Sequence, residues 1–282
     1  MNPSNSPYIS FITTIKICKG YEFLIERINL YIVNVKHFCH KYDIPYEILI
    51  CDNINEKNIC KIRDHIIDWS NVHVFDMEQT YPNPMGFNMI ESYGKNLCLR
   101  HAKGKFCCMT SADQLFSEEF FTSVKYDIQP NIFYRFATFE IPVIPIQLSE
   151  LATDKIEPIL KQCKEGNKRL CNPSMFPANK NVKISPIELG QKSGDVMLLD
   201  TESFRKIKGW PENKCFTHVD TAVCFVATNN YPFMIPPISV CTYTFEQSGR
   251  SSETRMVPNS NVSIDQLQWK ICISYRSRMS SN

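Results

Sequence analysis

Residues 93–121 read YGKNLCLRHAKGKFCCMTSADQLFSEEFF and contain the clearest indication of fold class in the chain. A helix is predicted at residues 88–102, and Gly104 turns the chain into an apolar run at residues 105–110 that is typical of a buried strand. Ser117, followed by two acidic residues, predicts the start of a further helix. This succession of helix, buried strand, polar loop and helix is the repeating unit of an α/β sheet.

The segments nearer the N-terminus follow the same alternation. Strands are predicted at residues 8–14, 47–51 and 72–75, with helices at residues 21–42 and 58–69. This spacing indicates a mostly parallel sheet with helices on both faces, and right-handed crossovers then bring the ends of its strands to one edge. The second helix would place four apolar residues on one face: Ile59, Ile62, Ile66 and Trp69.

The second half of the chain is less regular, but no repeat, low-complexity segment or linker divides it. Residues 1–282 are therefore interpreted as a single domain. The predicted elements are an extended segment at residues 132–142, a helix at 150–164, a long loop at 171–186, a strand at 194–199, helices at 201–207 and 217–229, and a strand at 236–245.

The composition excludes several classes of function. The net charge of +2 provides no long-range attraction for nucleic acid or for acidic membranes. The thirteen cysteines are spread along the chain without a CxxC pair, which favours buried thiols in a reducing compartment over disulfides or a zinc ribbon. The sequence contains no signal peptide and no apolar run near the roughly 20 residues of a membrane helix, so a cytoplasmic protein is expected.

Polar residues stand at the ends of three predicted strands. Thr13 ends the first strand, Asp52 ends the second, and the triplet Ser-Ala-Asp at residues 111–113 follows the fourth. Ligands of open α/β sheets bind where the carboxyl ends of the strands meet the loops, so these side chains are candidates for one cleft. Asp and Asn side chains also end strands by capping turns, and that alternative stays open for each residue taken alone.

The order of these motifs, including the run EILICDN, resembles an inverting family 2 glycosyltransferase of the GT-A fold. The resemblance covers residues 8–121 and resumes at residues 194–229, whereas residues 122–193 align with no part of the family. It implies a mostly parallel central sheet flanked by helices. The nucleotide-binding half would comprise residues 1–121, and the acceptor-binding half would comprise residues 122–282.

The resemblance implies that the donor is a nucleotide-sugar, usually a UDP-sugar. Thr13 then stands beside the nucleotide, and Asp52 stands where an aspartate accepts a hydrogen bond from the base, usually uracil. Lys95 stands where a basic residue approaches the nucleotide, although a solvated helix lysine is an equal alternative. Ser111 and Asp113 stand where the family has its Asp-x-Asp motif at the diphosphate.

In the family, that motif holds a divalent cation, Mn²⁺ or Mg²⁺, which stabilises the charge of the leaving diphosphate. Asp113 is the implied metal ligand and diphosphate anchor, but Ser111 replaces the first acid. Relatives often supply a later histidine to the metal, and this chain has none after His218. Tyr243 and Glu246 lie in the corresponding region, and Glu246 is the residue that would substitute.

Residues 217–220, THVD, resemble the Glu-Asp segment that starts a helix in the family, with Val219 in place of the glutamate. The resemblance implies that Asp220 is the general base that removes the acceptor's proton, so that attack opposite the leaving diphosphate inverts the anomeric carbon. Asp220 would also cap its helix, which is compatible with that role. Asp195 and Trp210 are the implied acceptor contacts, and Trp210 is alternatively a core residue.

Two alternatives compete with sugar transfer to a glycan or another hydroxylated acceptor. The first is a catalytically inactive protein of the GT-A fold that binds sugars, nucleotides or a partner, which the missing first acid and later histidine favour. The second is a nucleotidyltransferase with the same sheet. Such enzymes usually open with a Gly-rich phosphate loop, whereas the segment TTIKICKGYEF after the first strand contains one glycine, Gly20.

Overall fold

A computed structural model describes residues 6–54, 59–78, 91–144, 155–171, 196–210 and 219–245. The strands, in chain order, are β1 (Ile9–Ile15), β2 (Tyr46–Ile54), β3 (Val72–Glu78), β4 (Phe106–Met109), β5 (Gln114–Phe116), β6 (Phe133–Arg135), β7 (Ala137–Ile141), β8 (Arg169–Leu170), β9 (Met197–Asp200), β10 (Phe233–Met234) and β11 (Cys241–Phe245). The helices are α1 (Leu24–Lys41), α2 (Glu91–His101), α3 (Glu118–Tyr126), α4 (Ile156–Glu165), α5 (Thr201–Lys206) and α6 (Val219–Asn230).

The central sheet has seven strands in the order β10-β6-β9-β4-β1-β2-β3. Strand β9 runs antiparallel to its neighbours β4 and β6, and the other neighbouring pairs are parallel. This arrangement confirms the mostly parallel sheet predicted from the sequence. A second sheet, β5-β11-β7-β8, was not predicted, because its strands are short and come from distant parts of the chain.

Alternating side chains of the central strands pack into two cores. On one face of the sheet, Phe11 and Ile15 of β1 pack with apolar residues of α1, α3 and the second sheet. On the other face, Ile12 packs with apolar residues of α2, α5 and α6. Successive residues of a strand point to opposite faces, so a strand buried on both sides reads as a continuous apolar run. The two sides are called the α1 face and the α2 face below.

The parallel strands end along one edge of the central sheet, called the carboxyl edge below. It is formed by the C-terminal ends of β1, β2, β3, β4 and β6. Helices α1, α2 and α6 each lead into a strand that runs in this same direction, namely β2, β4 and β10. Each helix must therefore return from the carboxyl edge, and its first turn lies there.

The helix predicted at residues 58–69 is wrong. A short 3₁₀ turn occupies residues 62–65 instead, and Ile59 and Trp69, two of the residues expected on the apolar face, are 50% and 46% exposed. Asn29 of α1 explains the interruption. Its side chain donates to the carbonyl of the last residue of the turn at 2.9 Å and accepts the N–H two residues further on at 3.0 Å. Those backbone groups are thereby held outside a helical ladder.

Other boundaries differ by small shifts. The extended segment predicted at residues 132–142 is divided into β6 and β7, and the strand predicted at residues 236–245 begins at Cys241. Of the long loop predicted at residues 171–186, only Cys171 is among the described residues. Within the described parts of the chain, no helix combines the length and the apolarity needed to cross a bilayer.

Helix α2 approaches the central sheet closely at Gly94. A Cβ atom at this position would lie 2.4 Å from Cγ2 of Thr14 and 3.0 Å from Sγ of Cys51. Real side chains do not come this close, so the position of α2 over the ends of β1 and β2 depends on the missing side chain.

We expect Gly94→Ala to lower the free energy of unfolding in urea by about 1–3 kcal/mol, since overpacking a filled core costs this much. The sign is diagnostic, because alanine replacing glycine inside an unhindered helix stabilises it. Adding Thr14→Ser removes the nearest methyl group and is expected to restore part of the loss. Lys161→Ala, at an exposed position of α4, is the control and is expected to change stability by less than about 0.5 kcal/mol. A stabilising Gly94→Ala would contradict the close approach.

Candidate functional site

The carboxyl edge contains buried polar side chains that find no hydrogen-bond partner among the described residues. They lie in the last residues of β1 and β2: Oγ1 of Thr13, Oγ1 of Thr14, Oδ1 of Asp52, and both amide atoms of Asn53. An unsatisfied buried polar group costs about 1–3 kcal/mol, so proteins rarely collect several of them without a reason. Their concentration at one edge of the sheet is the pattern of a site that a polar ligand completes.

These four side chains are divided between the two faces of the sheet. Asp52 points to the α1 face, where its Oδ2 accepts the Ile62 N–H at 2.8 Å, and Thr13 points to the same face. Thr14 and Asn53 point to the α2 face. The two residues predicted to hold the nucleoside, Thr13 and Asp52, therefore share a face on adjacent parallel strands.

Asp52 is a weaker acid than a free aspartate because its carboxyl group is buried. Burial raises its pKa from the ordinary value of 3.8 to about 6, the N–H of Ile62 lowers it, and the negative charge of Asp76 raises it further. Asp76 lies directly opposite Asp52 in the β2–β3 register, and Arg63 binds Asp76 at 2.7 Å. At neutral pH the Asp52 carboxylate is thus ionised but poorly compensated, and an N–H donor from a ligand would stabilise its charge.

Asp113 forms a buried ion pair with Arg27 of α1. Nη1 of Arg27 lies 3.5 Å from Oδ2 of Asp113, and the two side chains are only 9% and 8% exposed. The Thr244 hydroxyl of β11 donates to the same carboxylate oxygen at 3.4 Å. The Arg27 guanidinium also lies over two aromatic rings, with centroids at 4.4 Å for Phe23 and 5.0 Å for Phe245.

The position of Arg27 is set by a second contact of α1. Asn34 lies two turns further along the helix on the same side, and its amide bonds both backbone groups of Phe116, at 3.1 Å and 2.8 Å. Phe116 belongs to β5, the strand that begins directly after Asp113. Because Asn34 holds α1 against β5, Arg27 in the first turn of the helix comes to lie beside Asp113.

The sequence analysis considered Tyr243 and Glu246 as contributors to a metal site. Tyr243 is 3% exposed, stacks on Phe139, and has a pKa raised by burial and by the neighbouring Cys241. It lies on the opposite face of β11 from Thr244, which is the residue of this strand that reaches Asp113. Glu246 lies outside the described residues.

The described residues do not fit a divalent cation at Asp113. Such a cation needs several oxygen ligands, usually including more than one carboxylate. Ser111 stands in place of the first acid, and the Asp113 carboxylate already binds a guanidinium and a hydroxyl. Among the described residues, no group of three or more His, Cys, Asp or Glu side chains is placed to hold a metal ion.

Lys95 and Asn96 connect α2 to the segment around Trp210. Lys95 is 3% exposed, pairs with Glu91 at 2.5 Å, and lies 5.1 Å from the centroid of the Trp210 ring. Asn96 donates to the Trp210 carbonyl and accepts its N–H, both at 2.8 Å. Two motifs that are separate in the sequence, GKN at 94–96 and KGW at 208–210, are thus joined by a pair of hydrogen bonds.

The structure corrects the view of Trp210 as an acceptor contact. Its side chain is 1% exposed and packs against Phe204, whose ring centroid lies 5.8 Å away. The indole is therefore a core side chain rather than a surface on which a sugar ring stacks. Lys95 is likewise buried rather than a solvated helix lysine, so the second of its two alternatives is excluded.

Asp220 lies in the first turn of α6 and thus at the carboxyl edge, the same edge as Asp113 and Asp52. Burial raises the pKa of Cys224, one turn further on, to about 12, with Arg135 lowering it and Asp220 raising it. Arg135, at the end of β6, is fully buried and also lies at this edge. The start of α6 therefore combines a carboxylate with a buried cation.

Several residues of this edge were not identified from the sequence. Arg27 and Arg135 could have been noticed, because each is a charged residue beside or within an apolar run. Such a residue is rarely buried unless it has a partner. Thr244 and Asn96 carried none, because their roles depend on contacts with distant segments. Asp195, predicted to contact the acceptor, and His218 lie outside the described residues.

Comparisons with known proteins identify the fold. No protein-family model and no curated protein matches the sequence. The structure is similar to two crystal structures of S. aureus TarS residues 1–349. The first, of TarS 1–349, matches with a TM-score of 0.52 at 10% sequence identity. The second, of the complex with UDP-GlcNAc, matches with a TM-score of 0.55 at 11% sequence identity. Each match covers 97% of this chain and 72% of that one. A crystal structure of S. aureus TarS matches with a TM-score of 0.52 at 11% identity and is covered to 43%. The likeness confirms the predicted GT-A fold.

We expect Asn96→Leu to lower the free energy of unfolding by about 2–4 kcal/mol, because both backbone groups of the buried Trp210 lose their partner. Urea denaturation followed by tryptophan fluorescence measures the change. Asn229→Leu is the matched control: its exposed amide bonds only its own helix, and the expected change is below about 0.5 kcal/mol. Equal effects of the two variants would contradict a structural role for the Asn96 contacts.

We expect Asp52→Asn to stabilise the protein at neutral pH. The folded-state pKa of about 6 lies above the ordinary 3.8, so the wild type loses stability as the pH rises through 6, and the variant does not. The gain in unfolding free energy is expected to reach about 2–3 kcal/mol near pH 8 and to shrink towards about pH 4.

Asp68→Asn provides a control of opposite sign for the same measurement. Burial alone would raise the pKa of Asp68, but its hydrogen bonds to Lys36 and Ser70 lower it to about 2. Its contribution to stability is present above the ordinary pKa and is lost as the pH falls. The Asp68 variant is therefore expected to be less stable than the wild type at neutral pH, with a difference that narrows in acid. A pH-independent difference for Asp52→Asn would refute the burial of a charged carboxylate.

Proposed function

We propose that this chain is a glycosyltransferase that moves a sugar from a nucleotide-sugar, a UDP-sugar, to an acceptor hydroxyl with inversion at the anomeric carbon. The observation that carries the proposal is the group of buried, unsatisfied polar atoms of Thr13 and Asp52 at the carboxyl edge of a GT-A fold. Open α/β sheets bind their ligands at this edge. The crystal structure of TarS residues 1–349 with UDP-GlcNAc supports a UDP-linked donor.

The base of the donor is assigned to Asp52. The carboxylate is ionised at neutral pH, and its Oδ1 lacks a partner among the described residues, so it would accept the N3–H of uracil. Cytosine has no hydrogen on N3 at neutral pH, so its N3 cannot donate to this oxygen. Thr13, on the same face of the neighbouring strand, would provide a hydroxyl beside the nucleoside. The pair thus favours a uridine nucleotide.

The diphosphate is assigned to the vicinity of Asp113, where the described residues supply a cation in the form of Arg27. The guanidinium carries a permanent charge and several N–H donors, which suit phosphate oxygens. Because the described residues around Asp113 do not fit Mn²⁺ or Mg²⁺, no step is assigned to a metal ion. Lys95, buried in the second turn of α2 at the same edge, is a further candidate for contact with the nucleotide.

Asp220 is the proposed general base. A sugar hydroxyl is a poor nucleophile at neutral pH, and a carboxylate within hydrogen-bonding reach makes it a stronger one. The proton passes to Asp220 as the acceptor oxygen bonds the anomeric carbon and the bond from that carbon to the diphosphate oxygen breaks. The start of α6 at the carboxyl edge supports this assignment. Asp195 remains a predicted contact for a glycan or another hydroxylated acceptor.

A second candidate is a protein of the same fold that binds a nucleotide-sugar without turnover. The ion pair between Arg27 and Asp113 favours it, because the acid expected to hold a catalytic cation is already neutralised. The two candidates differ in whether the donor is consumed. Both predict binding of UDP, whereas only the first predicts UDP release that depends on Asp220.

We expect the wild type to release UDP from at least one UDP-sugar and Asp220→Asn to lower kcat by about 10²–10⁴-fold, the usual contribution of a positioned base. A coupled assay for UDP measures this over a panel of UDP-sugars. The donor KM is expected to stay within about threefold, since Asp220 acts on the acceptor.

Asp127→Asn is the matched control, because Asp127 is an exposed aspartate at the end of α3. It makes the same chemical change away from the carboxyl edge and is expected to leave kcat at the wild-type value. Bound UDP without any UDP release by the wild type would establish the non-catalytic candidate instead. An equal loss in both variants would remove Asp220 from the role of base.

A further inference from the structure

The site at Asp113 disagrees with the cation that the resemblance implies. The positive charge beside the Asp113 carboxylate is the guanidinium of Arg27, at 3.5 Å. Both side chains are more than nine-tenths buried. The Arg27 charge lies beside the rings of Phe23 and Phe245, which limit its access to water. A buried charge keeps its strength because little solvent screens it.

A divalent cation on Asp113 would have to share the carboxylate with Arg27. The two positive groups would then lie within a few ångströms of each other, in surroundings where like charges repel strongly. Arg27 cannot relieve this by losing its proton, because a guanidinium stays charged in proteins. It is also held in place, since Asn34 fixes α1 to the strand that follows Asp113.

We propose that Arg27 binds the diphosphate of the nucleotide-sugar and that Asp113 is the positioning residue that orients Arg27, so that donor binding needs no divalent cation. This inference rests on the proposed function, because it concerns the same donor. It reverses the expected role of Asp113, from a ligand of a metal ion to the partner of an arginine.

The geometry of the sheet supports this assignment. Asp52 lies near the end of β2, and Asp113 follows β4. These two strands flank β1 on either side, and neighbouring strands lie about 4.8 Å apart. A uridine diphosphate with its base at Asp52 would extend its phosphates across the end of β1 towards Arg27. The first turn of α1, which contains Arg27, begins at this edge, where the positive end of the helix dipole favours anions.

Isothermal titration of the full chain with UDP and with uridine tests the inference. Uridine lacks the diphosphate, so the ratio of the two affinities isolates the contribution of the phosphates. We expect the affinity for UDP in EDTA to lie within about twofold of the affinity in Mn²⁺ or in Mg²⁺. Arg27→Gln is expected to weaken UDP by at least about tenfold while leaving uridine within about twofold, and Arg27→Lys is expected to lie between.

Further variants separate binding from folding. Arg27→Gln leaves the Asp113 carboxylate buried without its partner, which alone destabilises a protein. The double variant Arg27→Gln with Asp113→Asn removes both charges and is expected to fold and to show the same loss of preference for UDP over uridine. Arg169→Gln, an exposed arginine of β8 paired with Glu140, is the control and is expected to bind UDP as the wild type does.

Each outcome decides between named possibilities. UDP binding that strengthens by about tenfold or more in Mn²⁺ would overturn the inference and restore Asp113 as a metal ligand, with the proposed function intact. A double variant that keeps the wild-type ratio of UDP to uridine affinity would also overturn it. Failure of the wild type to bind UDP or uridine under any of these conditions would overturn the proposed function, and the inference with it.

Discussion

The parallel alignment of β1 with β2 and β4 is the constraint on which the rest of the structure depends. Once these strands run in the same direction, each connecting helix has to return from the carboxyl edge, and three helix starts and the polar residues that end the strands are brought together there. The chemistry proposed for this chain requires no unusual backbone. It requires that residues at these ends be polar where the rest of each strand is apolar. Burying these residues unsatisfied costs free energy, and the chain still folds because the two hydrophobic cores on the faces of the sheet are large.

Most of the central sheet was predictable from the sequence, because strands buried on both faces are continuous apolar runs and the helices between them are periodic. The helix at residues 58–69 was predicted wrongly because the periodicity of that segment does not reveal its contact with Asn29. That side chain belongs to another element and binds the backbone of the segment. The second sheet was missed for a related reason. Its β5 and β8 are three and two residues long, and such short strands exist only through pairing with segments far away in the chain.

The site shows the same division. Thr13, Asp52 and Asp113 were identifiable because each lies at or just after the end of a strand, and their position at one edge follows from topology alone. The partners that give these residues their properties were not identifiable. The pKa of Asp52 depends on burial, the environment of Asp113 depends on how α1 docks on β5, and the burial of Trp210 depends on an asparagine more than a hundred residues earlier. The resemblance to a family indicates which positions belong to the site, whereas the chemistry of each side chain depends on the residues that pack against it.

The position of β9 in the central sheet affects how the chain folds during its synthesis. This strand lies between β4 and β6, so β4 presents an unpaired edge until residues 197–200 have left the ribosome. During that interval the nascent sheet of β4, β1, β2 and β3 carries exposed backbone donors and acceptors on an apolar strand, the kind of edge that recruits other chains. The residues up to β4 therefore cannot complete this sheet before β9 has been synthesised.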